Sequence, residues 1–316
     1  MARARSRHEL AVVAPYRLDL TVSVLRRLST NIVDVLTRDG EYVRALPAGR
    51  AVVIARVAQP RSDTLLVRLE GGDARDRRHA LASIRRILGV DRDVSPFDRA
   101  ARRLPWLASL ARRMRGVKPP RYPTLWESCV SSIVFQQVSL AAASSISRRL
   151  ILALGRPVTS GSEVLHVFPS ADRLRRADDK ILRSVGLSAN KLATLRRVAD
   201  ALHAGTLDET TLEALPSPRA AATLRTIKGI GPWTATLILL RGLGRLDVFP
   251  RNDTSVVSNL AFVTRSTSLD IDAALDALGS QRGMLYYHLL LSRLEARGDL
   301  GRASSAVLVS NTLSSE

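Results

Sequence analysis

Cysteine is almost missing from this chain: Cys129 stands alone among 316 residues. An internal disulfide is therefore excluded, and so is a zinc or iron–sulfur site built from several cysteines. The five histidines, His8, His79, His166, His203 and His288, are scattered without metal-ligand spacing, so no His-based zinc site is expected. Aromatic residues reach only 4%. Lysine occurs only at positions 118, 180, 191 and 228, so arginine supplies nearly all of the positive charge. Apolar runs are short and interrupted, which argues against a membrane span. The basic start, Met1 to Leu10, lacks the apolar stretch of a secretory signal. A cytoplasmic chain with no membrane partner is the expectation.

What is present is a 46% hydrophobic chain, long enough for two or three domains with buried cores. Its net charge is +19, from 48 basic and 29 acidic residues. Such an excess favours a polyanionic partner, through phosphate neutralisation and release of counterions. The arginine bias is equally what a skewed genome base composition produces. Charge alone leaves the partner open.

Residues 1–13 read as a flexible basic arm. From Arg17, the alternation Leu18, Leu20, Val22, Val24 predicts a half-buried strand. Further strands are expected at Glu41–Leu46, Ala51–Ala58 and Thr64–Leu69, the last closed by the turn pair Gly71-Gly72. Arg75–Leu88 has the spacing of an amphipathic helix. Residues 14–95 thus predict a small antiparallel sheet with a covering helix. Beyond Pro96 helix signals dominate, and 96–303 is expected to be one all-helical domain. Within it the Arg-rich, Pro-containing stretch Arg112–Arg121 reads as a linker. One helix is expected from near Thr124, and another from an N-cap at Ser139 to a C-cap at Gly155. Ala171–Ala177 and Ala189–His203 follow. Residues 304–316 read as a polar tail.

The most informative stretch is 218–257. It predicts a helix over Arg219–Ile227, a tight Gly229-Ile230-Gly231 turn, and a second helix from Pro232 or Trp233 to about Arg241. The glycines permit positive φ and close backbone approach, and Pro232 suits a helix start. Backbone N–H groups exposed there form an anion site without any side chain. An ordinary helix–helix turn would carry the same residues. Asp253 lies 22 residues past Gly231, after Asp247-Val248-Phe249-Pro250 and before an apolar helix start. By itself it would be read as an N-cap.

Together these residues resemble the signature of the helix-hairpin-helix (HhH-GPD) superfamily of DNA glycosylases, closest to its 3-methyladenine DNA glycosylase II branch. Trp126–Arg149, with Phe135-Gln136-Gln137-Val138-Ser139 at its turn, is similar to that family's DNA-wedge region. Phe168-Pro169 and Gly186-Leu187-Ser188 with Lys191 are similar as well. The first 95 residues resemble half of a TATA-box-binding fold. The resemblance implies an α+β chain: a mostly helical glycosylase core preceded by a small antiparallel sheet with a helix. Its hairpin would span about 219–242. The implied partner is damaged double-stranded DNA, met as a monomer.

By this resemblance Asp253 is the catalytic carboxylate, which stabilises the positive charge that builds on the sugar. Lys228, Gly229, Ile230, Gly231 and Thr234 form the phosphate-binding hairpin, and Gln137 is the side chain inserted into the duplex. Gln136 is expected to bond loop backbone. Trp233, Leu237, Trp126 and Tyr286 are the candidate base-pocket residues, although Leu237 stands where the family often has an aromatic residue and Tyr286 would equally pack in the core. Trp233 occupies the position where bifunctional relatives carry a nucleophilic Lys, so strand cleavage through an imine is not expected. Its ring is suited to stack on a cationic base, although a core tryptophan would also fit. No cofactor is expected beyond a possible monovalent cation at the hairpin carbonyls, and a single cysteine leaves no iron–sulfur cluster. Two other readings remain: an oxidised-base glycosylase with lyase activity, and a non-catalytic helix-hairpin-helix DNA-binding protein.

Overall fold

The computed structural model describes residues 4–161, 163–265 and 269–301. The chain divides into two units. One comprises residues 1–29, 34–121 and 246–316, the other 30–33 and 122–245. The expected tail at 304–316 lies outside the described residues.

The first unit opens with β1 (Arg5–Ala11), α1 (Leu18–Arg26), β2 (Val35–Leu36), β3 (Tyr42–Ala48), β4 (Ala51–Arg61) and β5 (Thr64–Glu70). The five strands form one antiparallel sheet in the order β1-β5-β4-β3-β2. Helix α2 (Ala74–Leu88) packs on it. It is entered through a capping box between Asp73 and Asp76 and closed by Gly89 in the left-handed conformation. Helices α3 (Ser95–Ala101) and α4 (Pro105–Arg113) complete this stretch.

Three expectations change here. The arm is not a free arm, because residues 5–11 pair with β5 along their whole length, from Arg5 opposite Glu70 to Ala11 opposite Thr64. Arg5, Arg7 and Glu9 face solvent, and an edge strand of this kind needs little apolar content. The strand expected from Leu18 is helix α1. Every residue from Leu18 to Leu25 is buried, so no exposed face imposes a period of 3.6 and the chance alternation misleads. Buried Ser23 satisfies its hydroxyl on the Asp19 carbonyl one turn back. The linker expected at Arg112–Arg121 is pinned rather than free. Arg17 N–H donates to Gly116 O (2.8 Å), Arg121 N–H to Ile87 O (3.0 Å) and Lys118 N–H to Thr21 Oγ1 (3.1 Å). The composition break near residue 96 is thus not a structural boundary, since α3 and α4 share a unit with the sheet.

The second unit holds α5 (Leu125–Val134), α6 (Leu140–Leu154), β6 (Arg156–Ser160), β7 (Glu163–Val167), α7 (Ala171–Arg176), α8 (Asp179–Ser184), α9 (Ala189–His203), α10 (Glu209–Ala214), α11 (Ser217–Arg225) and α12 (Pro232–Arg241). The caps expected for α6 are present, Ser139 accepting the Ala142 N–H and Gly155 ending the helix, and Thr124 caps α5 by accepting the Glu127 N–H. The β6–β7 hairpin was not expected in a domain read as all-helical; Gly161, at φ +60°, is its sequence trace. The chain then returns to the first unit with α13 (Thr254–Thr264), α14 (Ile271–Leu278) and α15 (Gly283–Ala296). The fold class is α+β, as expected, and no described helix is long and apolar enough to cross a membrane.

Candidate functional site

The hairpin forms where the glycines place it. Helix α11 ends at Arg225 and α12 starts with Pro232 at its first position, where the missing N–H of proline costs nothing. Gly229 sits at φ +103°, and a Cβ there would come within 1.9 Å of Thr194 Oγ1, so no other residue fits. Gly231 differs: its φ is −87°, and an added Cβ would meet nothing within 4 Å. Nothing in the protein packs against position 231, the N-cap of α12, so the backbone there is open to close approach from outside. Ile230 is buried and anchors the turn, while Lys228, Gly229 and Gly231 are exposed. The amides of Gly229, Gly231 and Thr234 have no hydrogen-bond partner among the described residues. Three unpartnered N–H groups thus stand at and just before the start of α12, two on exposed Gly229 and Gly231 and one on buried Thr234.

A second turn, between α5 and α6, is tied to this one. Gln136 Nε2 donates to Gly229 O (3.0 Å) and to Thr234 Oγ1 (2.8 Å), which is the backbone-bonding role expected of it. The Thr234 hydroxyl is therefore occupied within the protein. Next to Gln136, Gln137 is exposed and stands at φ +54°, a conformation that costs a non-glycine residue roughly 1–2 kcal/mol. Arg27 and Arg265 share this backbone conformation, and among the three Gln137 lies in the turn that is tied to the hairpin.

Sequence reasoning missed what holds both turns. Lys191, Thr194 and Arg197 recur every three residues and so share one face of α9. Lys191 Nζ donates to Val134 O at the end of α5 (2.9 Å), Thr194 packs under Gly229, and Arg197 Nη1 donates to Lys228 O (3.1 Å). Burial lowers the Lys191 pKa from its ordinary value. The three-residue spacing was visible, but their partners are distant backbone atoms.

The aromatic candidates separate by exposure. Trp233 is half-buried at the second position of α12, directly after the hairpin. Trp126 is 7% exposed, and its Nε1–H is spent on Pro169 O (2.8 Å), which fixes the entry to α7. Leu237 is buried in the middle of α12. In the other unit Tyr286 is 8% exposed, packs edge-on against Tyr287, and accepts a hydrogen bond from Arg27 Nη2 (3.2 Å). Cys129 is buried, and desolvation pushes its thiol up to about 12, so it is no nucleophile.

Asp253 caps α13. Its Oδ1 accepts the amides of Ser255 (2.8 Å) and Val256 (3.3 Å) and the Ser255 hydroxyl, and the residue is 6% exposed. The preceding Arg251 pairs with Asp272 of α14. The capping role and the catalytic role are compatible, since a carboxylate at a helix N-terminus is fixed in direction and electrostatically favoured.

Comparison with known proteins bears on the family and the fold. The pattern of the HhH-GPD superfamily base excision DNA repair proteins matches residues 130–269. The "probable bifunctional transcriptional activator/DNA repair enzyme AlkA" of Mycobacterium tuberculosis is 36% identical over 226 residues. That match covers 68% of this chain and 42% of the relative, so the chain spans less than half of that relative's length. "DNA-3-methyladenine glycosylase 2" of Escherichia coli is 28% identical over 243 residues, 76% of this chain and 82% of the relative. Among solved structures, a 3-methyladenine DNA-glycosylase from Archaeoglobus fulgidus aligns with a TM-score of 0.76 at 22% identity, over 90% of this chain and 97% of its own. An 8-oxoguanine glycosylase/lyase of Clostridium acetobutylicum aligns at 0.71 and 15%, over 94% of this chain and 100% of its own. At those identities the structural likeness speaks to fold.

Proposed function

The chain belongs to the HhH-GPD superfamily of base excision DNA repair proteins, and from that premise we propose that it hydrolyses the N-glycosidic bond of alkylated, 3-methyladenine-type bases in duplex DNA. The observation that carries this reading is the pair of linked turns. One offers three unpartnered amides at an exposed helix start, and the other holds exposed Gln137 in a strained conformation. A bare phosphate-gripping hairpin would need only the first.

The amides of Gly229, Gly231 and Thr234 grip a backbone phosphate without reading sequence. Gln137 fills the gap left when the damaged nucleotide leaves the stack, a step that costs a few kcal/mol. Trp233 stacks on the extruded base, and a positive charge on that base strengthens the contact. As the bond between C1′ and the base nitrogen breaks, positive charge develops on the sugar, and the Asp253 carboxylate stabilises it. Water adds its oxygen to C1′, its proton passes to Asp253 or solvent, and the base departs with the bonding electron pair. Trp233 has no amine, so no imine forms and the strand stays intact. A monovalent cation, if one binds here, would be held by the hairpin carbonyls, of which Gly229 O keeps a lone pair after accepting from Gln136. Such an ion would add positive charge beside the phosphate. The reading places the protein with cytoplasmic DNA, as a monomer.

The test is release of free 3-methyladenine from methylated duplex, followed by strand analysis with and without alkali. Base release with nicking only after alkali supports the proposal. Nicking without alkali would favour the lyase reading, and DNA binding without base release the non-catalytic one.

A further inference from the structure

In the first unit, away from every residue given a role above, the start of α3, the end of α4 and the segment after it border a cleft of about 400 Å³. That volume lies within the range of small-molecule sites. Five cations line it: Arg99 and Arg102 from α3 and its end, Arg112 and Arg115 from α4 and its end, and Lys118. Two carboxylates, Asp93 and Asp98, share the lining, so positive charge exceeds negative by three. None of the five cations has an ion-pair partner among the described residues. Arg99 Nη1 donates to Ser95 Oγ (3.0 Å) and Arg102 Nε to Asp98 O (3.2 Å), both neutral acceptors. Asp93 is occupied by the amide and hydroxyl of Ser95.

Lys118 is the decisive residue. It is 1% exposed, yet its ammonium has no hydrogen-bond partner among the described residues. Its amide holds Thr21 Oγ1, so the backbone that carries it is fixed. The stem of Lys118 is buried while its ammonium is not among the fully buried unpartnered atoms, so the acceptor it needs has to come from the cleft that it lines. Desolvation lowers the Lys118 pKa even though Asp93 and Asp98 act in the opposite direction, so these two carboxylates do not fully compensate its burial.

We propose that this cleft binds a small phosphomonoester, with the phosphate seated on Lys118 and held by the guanidinium groups of α3 and α4. Three terminal oxygens can accept from donors arriving from three chain segments, which a flat carboxylate cannot do as well. A dianion also matches the excess charge better than a phosphodiester. The phosphates of a duplex stand on a convex surface, whereas Lys118 is recessed, so a terminal phosphate reaches it and a backbone phosphate does not. Pro15 and Val94 give the organic part an apolar wall.

The full-length protein, in chloride buffer free of phosphate and sulfate, is titrated calorimetrically with adenosine 5′-monophosphate, inorganic phosphate, adenosine and succinate. Saturable binding of the nucleotide and of phosphate, with none of adenosine or succinate, is expected. Lys118→Met should weaken both at least about tenfold, the loss of one charge-assisted contact. Because Lys118 is buried, exposed Arg112→Gln and Arg115→Gln provide a second arm that leaves the core intact and should each weaken binding several-fold. Arg113→Gln, which is outside the cleft, should change nothing. Base release from methylated duplex should be unaltered in the Arg112 and Arg115 variants, which separates this site from the glycosylase reading. The proposal is overturned if succinate binds as well as phosphate, if the cleft variants bind like the parent protein, or if undamaged duplex with 5′-hydroxyl ends displaces the nucleotide.

Discussion

Asp253 combines two jobs that substitution can separate. Asparagine caps a helix about as well as aspartate, so Asp253→Asn keeps α13 anchored while removing the charge. Single-turnover release of a neutral deaminated base should fall at least about a hundredfold, with DNA affinity and melting temperature unchanged. Cationic methylated bases already leave readily, and their loss should be smaller. Near-normal release by the folded variant would remove Asp253 from the chemistry. Gln137 offers the complementary case, because its φ of +54° is a cost that glycine does not bear. Gln137→Gly should raise stability in urea by up to about 1 kcal/mol and still slow excision, more from paired than from mismatched duplex. A defect indifferent to pairing would show that the side chain does not fill the stack.

The hairpin was legible at the level of the element because glycine and proline act locally: Gly229 needs its positive φ, and Pro232 starts α12. The face of α9 that holds the turns was not, since Lys191 and Arg197 find their partners on the Val134 and Lys228 carbonyls, 57 and 31 residues away. Helix α1 was hidden for another reason, as burial all round leaves no amphipathic phase to read. Gly231 yields a clean probe of the hairpin, because a methyl group there meets open space. Gly231→Ala should fold normally, and its affinity for damaged and undamaged duplex should fall alike, by several-fold in fluorescence anisotropy. Full affinity would mean that no phosphate approaches this backbone. Helix α15 carries a pH-sensitive element. His288 is buried against Phe97, with Nδ1 bonded to Met284 O (2.9 Å) and Nε2 unpartnered, and desolvation pulls its pKa from 6.5 to about 4. The unfolded chain therefore takes up this proton first. The stability contribution is fully present above pH 6.5 and is lost as pH falls toward 4, on the order of 3 kcal/mol in all. His288→Leu should flatten the dependence of urea midpoints on pH in that window; an unchanged slope would assign it to other groups.

At the scale of the whole molecule, the net charge of +19 was the least decisive feature of the sequence, and structure divides the 48 cations behind it into two kinds. Some arginines are already neutralised within the fold. Arg44 is buried against Asp34, Arg56 and Arg68 share Glu41, Arg85 pairs with Asp91, Arg113 with Glu295, and Arg196 with Asp179. These charges cannot release counterions from DNA without first giving up a partner. Exposed Lys228, beside the unpartnered amides, is of the other kind. If the charge excess were only a trace of genome composition, binding to undamaged duplex would respond weakly to salt. If it is a DNA footprint, each phosphate neutralised by a cationic side chain adds about −0.9 to the slope of log affinity against log salt. Engagement of about four phosphates would weaken binding roughly a hundredfold between 50 and 200 mM salt. The titration should use chloride throughout, since the cationic cleft beside Lys118 would take up phosphate from the buffer. Lys228→Gln should then reduce the slope by about one, whereas Arg113→Gln should leave it alone because that charge is already paired with Glu295. A slope near zero, or equal shifts in both variants, would mean that the charge excess is compositional and that the backbone amides alone hold the DNA.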